Sequence, residues 1–154
     1  MIVFRLSKQI YATDLAGTGA YRAGGRWNSK GTALVYTAES RALCLAEVAV
    51  HLPVGIVPQD YTLVTLEIPD NSVAEITTDD LPPGWNAFPH SFATQQIGDH
   101  FVKSGKFLVL KVPSAVVPGD SNYLINPQHS EISKVAFIGE PTPFPFDNRL
   151  FKKG

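Results

Sequence analysis

Short apolar runs, separated by segments rich in glycine and proline, form the dominant pattern along the chain. The runs are enriched in β-branched and aromatic residues, which are typical of strands in a sheet. They predict strands at residues 1–6, 33–37, 61–68, 72–76, 106–112, 122–126 and 134–138. Most prolines fall between these runs, where they end elements and form turns.

Two segments, 38–52 and 91–104, have the spacing of apolar residues that is typical of helices. The first helix is predicted to begin with Thr37 as its N-cap and with Glu39 near its positive end. Pro53 cannot continue a helix, so the first helix is predicted to end before it.

The number and order of these elements predict an α+β fold. Strands outnumber helices and do not alternate with them regularly, which favours a mixed or antiparallel sheet over a doubly wound one. Residues 12–32 are rich in turn formers and are predicted to be irregular. A length of 154 residues with 44% hydrophobic residues suits one compact domain, which we place at 1–154.

The helix at 38–52 carries one carboxylate in an otherwise apolar stretch. In residues 42–50, eight of nine side chains are apolar, and the exception is Glu47. The predicted core stripe consists of Leu45, Val48, Ala49 and Leu52. Glu47 lies roughly opposite that stripe, although its helical neighbours Leu43 and Val50 are also apolar. It is either an ordinary solvent-facing glutamate or a site carboxylate at the bottom of a cleft, paired with an arginine.

A glycine-rich stretch at 23–37 has polar and aromatic side chains at its centre. Gly25 would let the main chain approach a ligand closely, and Arg26 suits a phosphate or carboxylate through two parallel hydrogen bonds. Trp27 could stack on a ring, and Asn28 offers both a donor and an acceptor. The alternative is a surface hairpin in which the arginine covers an aromatic ring. Because no complete phosphate-loop motif is present, an anion here would be bound by side chains.

A second polar cluster, "GDSNYLINPQH", spans residues 119–129. Ser121 and Asn122 precede a strand-like run, as residues at the mouth of a pocket often do, although the cluster alone is compatible with an ordinary turn. No G-x-S-x-G motif surrounds Ser121, so the sequence does not predict a serine-hydrolase nucleophile.

Charge and composition narrow the class of partner. The net charge of −1 lacks the basic patch expected of a nucleic-acid-binding protein. Cys44 is the single cysteine and the four histidines have no metal-ligand spacing, so neither an internal disulfide nor a metal site is predicted. The sequence shows neither a secretory leader nor an apolar run of membrane-spanning length, so we expect a cytoplasmic protein without membrane contact.

Taken together, these segments resemble the RES domain, a family named for its arginine, glutamate and serine. The resemblance rests on "FRL", "GGRWNSKGTALVYTAES", "LAEVAVHL" and "DSNYLINPQH", and it covers nearly the whole chain. It implies a fold similar to that of ADP-ribosyltransferase toxins. It also implies the toxin of a Res–Xre toxin–antitoxin module that acts on NAD+ as substrate, with no other cofactor and no metal.

The resemblance also implies roles for individual residues. Arg26 would grip an NAD+ phosphate, Tyr36 would stack on or orient the nicotinamide–ribose portion, and Glu47 is the family's glutamate. Ser121 is taken as the family's serine. The remaining residues of the expected NAD+ site are Arg5, Gly25, Trp27, Asn28 and Asn122.

The partner implied by the resemblance is an Xre-type helix-turn-helix antitoxin, which would supply the DNA binding that this chain lacks and would block the NAD+ pocket. Self-association to a homodimer within the complex is also implied. Two alternatives to NAD+ degradation stay open. One is transfer of ADP-ribose to a protein or metabolite, and the other is a catalytically silent module that only binds its antitoxin.

The residues themselves agree with this chemistry. Cleavage of the nicotinamide–ribose bond develops positive charge on the ribose, as glycoside cleavage does, and a fixed carboxylate stabilises that charge. We therefore expect Glu47 and Arg26 to converge on one cavity that is large enough for a dinucleotide.

Overall fold

The computed structural model describes residues 1–151. The strands are β1 (Ile2–Lys8), β2 (Val35–Ala38), β3 (Tyr61–Glu67), β4 (Val73–Glu75), β5 (Val109–Pro113), β6 (Ser121–Ile125), β7 (Ala136–Phe137) and β8 (Thr142–Pro143). The helices are α1 (Thr18–Ala23), α2 (Arg41–Ala49) and α3 (Phe92–Ser104). Each predicted strand and helix therefore has a counterpart, with shifted ends.

These strands form one mixed sheet in the order β4-β5-β6-β2-β1-β3-β7, with β8 paired to β3. Neighbouring strands run antiparallel, apart from the parallel pair β4 and β5. The predicted α+β fold with a mixed sheet is confirmed.

The sheet is weakly joined at its middle. β1 pairs with β3 along its whole length, and β2 pairs with β6 along its whole length. Between β1 and β2, however, the register holds the single pair of Phe4 and Ala38. The two halves of the sheet therefore diverge on either side of this pair, and a cleft opens between β1 and β2.

The start of α2 differs from the prediction because β2 continues through Ala38. Thr37 is a strand residue, and its hydroxyl donates to the carbonyl of Tyr123 at 2.6 Å. The N-cap is Ser40, whose Oγ accepts the main-chain N–H of Leu43 at 3.0 Å. The predicted N-cap was wrong because strand pairing takes precedence over the local helix signal.

The buried face of α2 also differs from the predicted stripe. Leu43 and Cys44 are 1% and 5% exposed and pack with Leu6 and Ala38 at the divergence of β1 and β2. The predicted stripe is only partly buried: Leu45, Val48, Ala49 and Leu52. Since residues three and four positions apart share a helix face, Glu47 continues the face of Leu43 and Cys44 toward the cleft.

α3 covers β5 and β6 and packs directly on the loop before β2. Its residues Phe101 and Val102 share a core cluster with Trp27 and Leu34. A methyl group added at Gly98 would lie 1.5 Å from the carbonyl oxygen of Trp27. Only glycine therefore permits this approach of helix and loop.

Other differences from the prediction have local causes. Residues 12–32 are not wholly irregular, since α1 starts after Gly17, whose φ of 70° is left-handed and whose added Cβ would lie 2.7 Å from the Leu34 nitrogen. β5 begins at Val109, later than predicted. β8 was missed because it ends in Pro143, which lacks the N–H donor of a regular strand. Within residues 1–151, no helix combines the length and apolarity that a membrane span requires.

We predict that Gly98→Ala destabilises the protein by about 3 kcal/mol, because the new methyl group must displace main chain rather than a flexible side chain. The free energy of unfolding in urea measures the effect. Gly19→Ala is the matched control, since its Cβ would meet nothing within 4 Å. A loss below about 1 kcal/mol for Gly98→Ala would contradict the tight contact of α3 with the loop.

Candidate active site

A cavity of about 510 Å³ occupies the cleft between β1 and β2. Its walls come from both strands, from α2 and from flanking loops: Phe4, Arg5, Leu6, Ser7, Lys8, Tyr11, Tyr36, Thr37, Ala38, Cys44, Glu47, Val48, His51, Leu52, Tyr61 and Asn122. Four residues predicted for the site, Arg5, Tyr36, Glu47 and Asn122, are thus brought to one cavity.

Glu47 is fixed in the cavity wall by two hydrogen bonds. Its Oε1 accepts the Asn122 amide at 2.7 Å and the Ser114 hydroxyl at 2.8 Å. Both donors contact Oε1, so neither of them occupies Oε2. The arrangement anchors one carboxylate oxygen and leaves the other for different contacts.

Ser114 can act only as a donor to Glu47. It is 4% exposed, and its Oγ accepts the main-chain N–H groups of Val116 at 3.1 Å and Val117 at 3.0 Å. A hydroxyl has one proton and two lone pairs, so its proton must point to the carboxylate once both lone pairs are engaged. The turn after β5 thereby sets the direction of the Ser114 hydroxyl.

Ser121, which the resemblance predicts to be the family's serine, is not among the cavity walls. Its main-chain N–H donates to the Glu39 carboxylate at 3.1 Å, and its carbonyl accepts the Glu39 N–H at 3.3 Å. The serine that contacts Glu47 is Ser114, which the sequence analysis missed. The register of β5 and β6 would have indicated this contact. Asn122 pairs with Val112, and Ser114, two residues further on, lies on the same face as Val112.

Tyr36 presents its ring rather than its hydroxyl. The hydroxyl donates to Asn28 Oδ1 at 2.7 Å and accepts the Trp27 N–H at 3.0 Å. Burial raises the pKa of Tyr36 above its ordinary value, so the phenol stays protonated. Because the hydroxyl is engaged in the loop, the ring is the part of Tyr36 that is left for the cavity.

Trp27 and Asn28 are internal supports of the glycine-rich loop. They are 2% and 0% exposed, and the Trp27 ring lies in the core with its centroid 6.3 Å from that of Trp85. The Asn28 amide donates to the carbonyls of Ala20 at 2.8 Å and Thr32 at 2.9 Å. Neither side chain lines the cavity, in contrast to the expected stacking by Trp27 and ligand hydrogen bonds by Asn28.

The packing of the Tyr36 hydroxyl against the loop requires glycine at position 25. A Cβ at this position would lie 2.7 Å from the Tyr36 hydroxyl. The Gly25 carbonyl accepts the Gln95 amide at 3.0 Å, which ties the loop to α3. A second tie comes from Asp99, whose Oδ1 accepts the Ser29 N–H at 2.9 Å.

Arg26 reaches from this loop to two main-chain carbonyls. Its Nη1 donates to the carbonyls of Trp85 at 2.8 Å and Ala87 at 3.0 Å. Burial lowers the pKa of the Arg26 guanidinium, and the negative charge of Glu47 opposes that shift. Arg26 is not among the cavity walls, so the predicted convergence of Glu47 and Arg26 on one cavity is not confirmed, although the charge of Glu47 acts on the guanidinium.

Arg5 and Cys44 also belong to the cavity wall. Arg5 donates through Nη1 to the carbonyl of Asp14; burial lowers the pKa of its guanidinium, and the Asp14 charge opposes the shift. Burial, assisted by the Glu47 charge, raises the pKa of Cys44 to about 12, so this thiol is not a nucleophile at neutral pH. In the described part of the chain, no cluster of side chains could hold a metal ion.

Comparison with known proteins identifies the family. The profile of the RES domain matches residues 2–147. The Prs ADP-ribosylating toxin of Sphingobium sp. is 43% identical over 145 residues, which are 92% of this chain and 89% of that protein. The toxin Res of Pseudomonas putida is 39% identical over 156 residues, covering 98% of this chain and all (100%) of that protein.

A solved structure is similar in fold. The M. tuberculosis MbcT–MbcA toxin–antitoxin complex contains a chain that matches with a TM-score of 0.72 at 20% identity, covering 97% of this chain and 86% of that chain. The chain therefore belongs to the RES domain family, and the resemblance found in its sequence is confirmed.

We predict that Ser114→Ala and Ser121→Ala differ in stability. Ser114→Ala removes a donor from Glu47 and leaves the N–H groups of Val116 and Val117 without their acceptor, which costs about 2 kcal/mol. Ser121→Ala leaves its main-chain contacts intact and should change stability by less than about 0.5 kcal/mol. Urea unfolding of both variants at one pH measures the difference, and equal losses would contradict the assignment of Ser114 to the Glu47 site.

Proposed function

We propose that this chain is the toxin of a toxin–antitoxin module and that it cleaves the nicotinamide–ribose bond of NAD+ in the cavity between β1 and β2. The observation that carries the proposal is the anchored Glu47 carboxylate in the wall of a cavity that Tyr36 also lines, with its charge acting on Arg26. A volume of about 510 Å³ suits a substrate of dinucleotide size.

The chemistry needs only groups that the chain possesses. The bond between ribose C1′ and the pyridinium nitrogen breaks, and its electron pair neutralises the nitrogen, so nicotinamide leaves without a general acid. Positive charge develops on the ribose, and the Glu47 carboxylate stabilises it through Oε2 or holds the ribose hydroxyls. Attack by water gives ADP-ribose and releases one proton, whereas attack by inorganic phosphate gives the 1-phosphate.

Arg26 and Tyr36 are proposed to bind two different parts of NAD+, a phosphate and the nicotinamide–ribose unit. Both carbonyls that contact Arg26 accept from Nη1, so the other guanidinium N–H groups can bind a phosphate of the substrate. The Tyr36 ring would orient the nicotinamide–ribose unit. Arg5 and Asn122 support this wall, and Ser114 takes the role first expected of Ser121.

The proposed partner is an antitoxin of the Xre helix-turn-helix type that blocks the cavity. Support comes from the similar fold found in a toxin–antitoxin complex and from relatives that are named toxins. A homodimer within the complex and a cytoplasmic location are parts of the same proposal.

Transfer of ADP-ribose to a protein is the second candidate, because the relative that is 43% identical is named a Prs ADP-ribosylating toxin. The same bond breaks, and only the acceptor differs. Purified protein incubated with labelled NAD+, with and without phosphate and cell extract, distinguishes these outcomes: free ADP-ribose, its 1-phosphate, or a labelled protein. If none of these products and no nicotinamide were formed, the remaining hypothesis would be a catalytically silent module that only binds its antitoxin.

We predict that Glu47→Gln keeps the fold and lowers kcat for nicotinamide release by at least about 100-fold. Glutamine preserves the side-chain volume and an oxygen that accepts from Ser114 and Asn122, but it removes the negative charge. Glu67→Gln, at the exposed end of β3, is the matched control and should turn over like the parent. Equal nicotinamide release by Glu47→Gln and the parent would refute the catalytic role.

We predict that Arg26→Ala raises KM for NAD+ by about 10- to 100-fold, since a charged hydrogen bond to phosphate is lost. Arg26→Lys should restore only part of the affinity, because an ammonium lacks the planar fork of donors. Steady-state kinetics measures both effects, with Arg22→Ala on the exposed surface of α1 as control. An unchanged KM in Arg26→Ala would remove the phosphate-binding role.

A further inference from the structure

The segment from residue 81 to residue 90 crosses the Arg26 side of the site with little side-chain burial of its own. Leu81 and Trp85 are partly buried, whereas residues 82–84 and 86–90 are exposed. Phe88, for example, is 85% exposed. The contacts that hold this segment in place are therefore those of Leu81 and Trp85, main-chain hydrogen bonds, and the hydrogen bond between His90 Nε2 and Gln95 Nε2 at 3.2 Å.

The main chain of the segment is arranged to offer two carbonyls to one cation. The N–H of Trp85 donates to the Pro82 carbonyl at 3.2 Å, and that of Ala87 donates to the Gly84 carbonyl at 3.0 Å. These two turns engage the carbonyls of Pro82 and Gly84. The carbonyls of Trp85 and Ala87 accept from Arg26 Nη1 instead.

Trp85 connects the segment to a rigid neighbour. Its ring packs on Trp27 at 6.3 Å between centroids with the planes 40° apart, and both rings belong to one apolar cluster. Trp27 itself is fixed, since it is 2% exposed and its carbonyl lies against Gly98 of α3. Trp27 is also the residue after Arg26, so one aromatic pair joins the arginine's loop to the segment that supplies its acceptors.

We propose that Trp85 is a positioning residue: by packing on Trp27 it holds the carbonyls of residues 85 and 87 against Arg26 and so fixes the guanidinium for an anionic group of the substrate. The proposal rests on the proposed function in naming a dinucleotide phosphate as that group. Two carbonyl dipoles that accept from one nitrogen fix the position of a guanidinium without neutralising it. Its full charge is then available to the substrate.

The first test is kinetic. Trp85→Ala should raise KM for NAD+ about tenfold with kcat changed less than twofold, and Trp85→Phe, which keeps a ring, should recover most of the difference. Phe88→Ala is the matched control on the same segment. A Trp85→Ala variant with an unchanged or lower KM would overturn the proposal, because the segment would then play no part in binding or would withhold Arg26 from the substrate.

A double-mutant cycle separates positioning from general damage. If Trp85 acts through Arg26, adding Trp85→Ala to Arg26→Ala should change KM by no more than about twofold. A further tenfold increase in the double variant would mean that Trp85 contributes independently of Arg26, and the proposal would fail.

A measurement without substrate keeps the inference testable if NAD+ is not turned over. The guanidinium ¹⁵N–H signals of Arg26 should exchange with solvent more slowly in the parent and Phe88→Ala than in Trp85→Ala. Equal exchange in Trp85→Ala and the parent would overturn the positioning role. If the parent does not turn over NAD+ but the exchange difference is present, only the proposed function is refuted.

Discussion

The single residue pair between β1 and β2 is the constraint on which the site depends. Because Phe4 and Ala38 alone are in register, the sheet has a cleft between two otherwise well-paired halves. α2 closes one side of this cleft with Leu43 and Cys44. The next turn of that helix carries a carboxylate to the cavity. A continuous pairing of β1 with β2 would close the cavity and leave Glu47 no space for a ligand.

Most of the polar residues in the glycine-rich loop stabilise the loop itself and thereby hold Arg26 in place. The Asn28 amide joins Ala20 of α1 to Thr32, and Gln95 and Asp99 tie the loop to α3. The loop therefore has the polar composition of a ligand-binding segment, but its hydrogen bonds are made inside the protein. Arg26 differs from the other residues because its acceptors, the carbonyls of Trp85 and Ala87, lie on a largely exposed segment that is distant in sequence.

The sequence predicted the elements and the polar residues of the cavity better than their orientations. Apolar periodicity is informative for strands, and it placed α3 to within one residue at its start. It failed on the face of α2, because a helix that is apolar around most of its circumference has no unique buried side. Ser114 was missed because its contact with Glu47 depends on the register of β5 and β6. Trp27 was misread because its burial is created by α3, which is distant in sequence.

The two charged groups of the site are each hydrogen-bonded to neutral dipoles rather than to one another. Glu47 is held by a hydroxyl and an amide, and Arg26 by two main-chain carbonyls. A hydrogen-bonded ion pair between them would satisfy both groups and would have to be broken before a substrate could bind. Dipoles that are fixed by turns and strands instead keep the carboxylate and the guanidinium oriented and apart. A substrate that carries a cationic ring and an anionic diphosphate could then meet complementary charge at both ends without prior rearrangement.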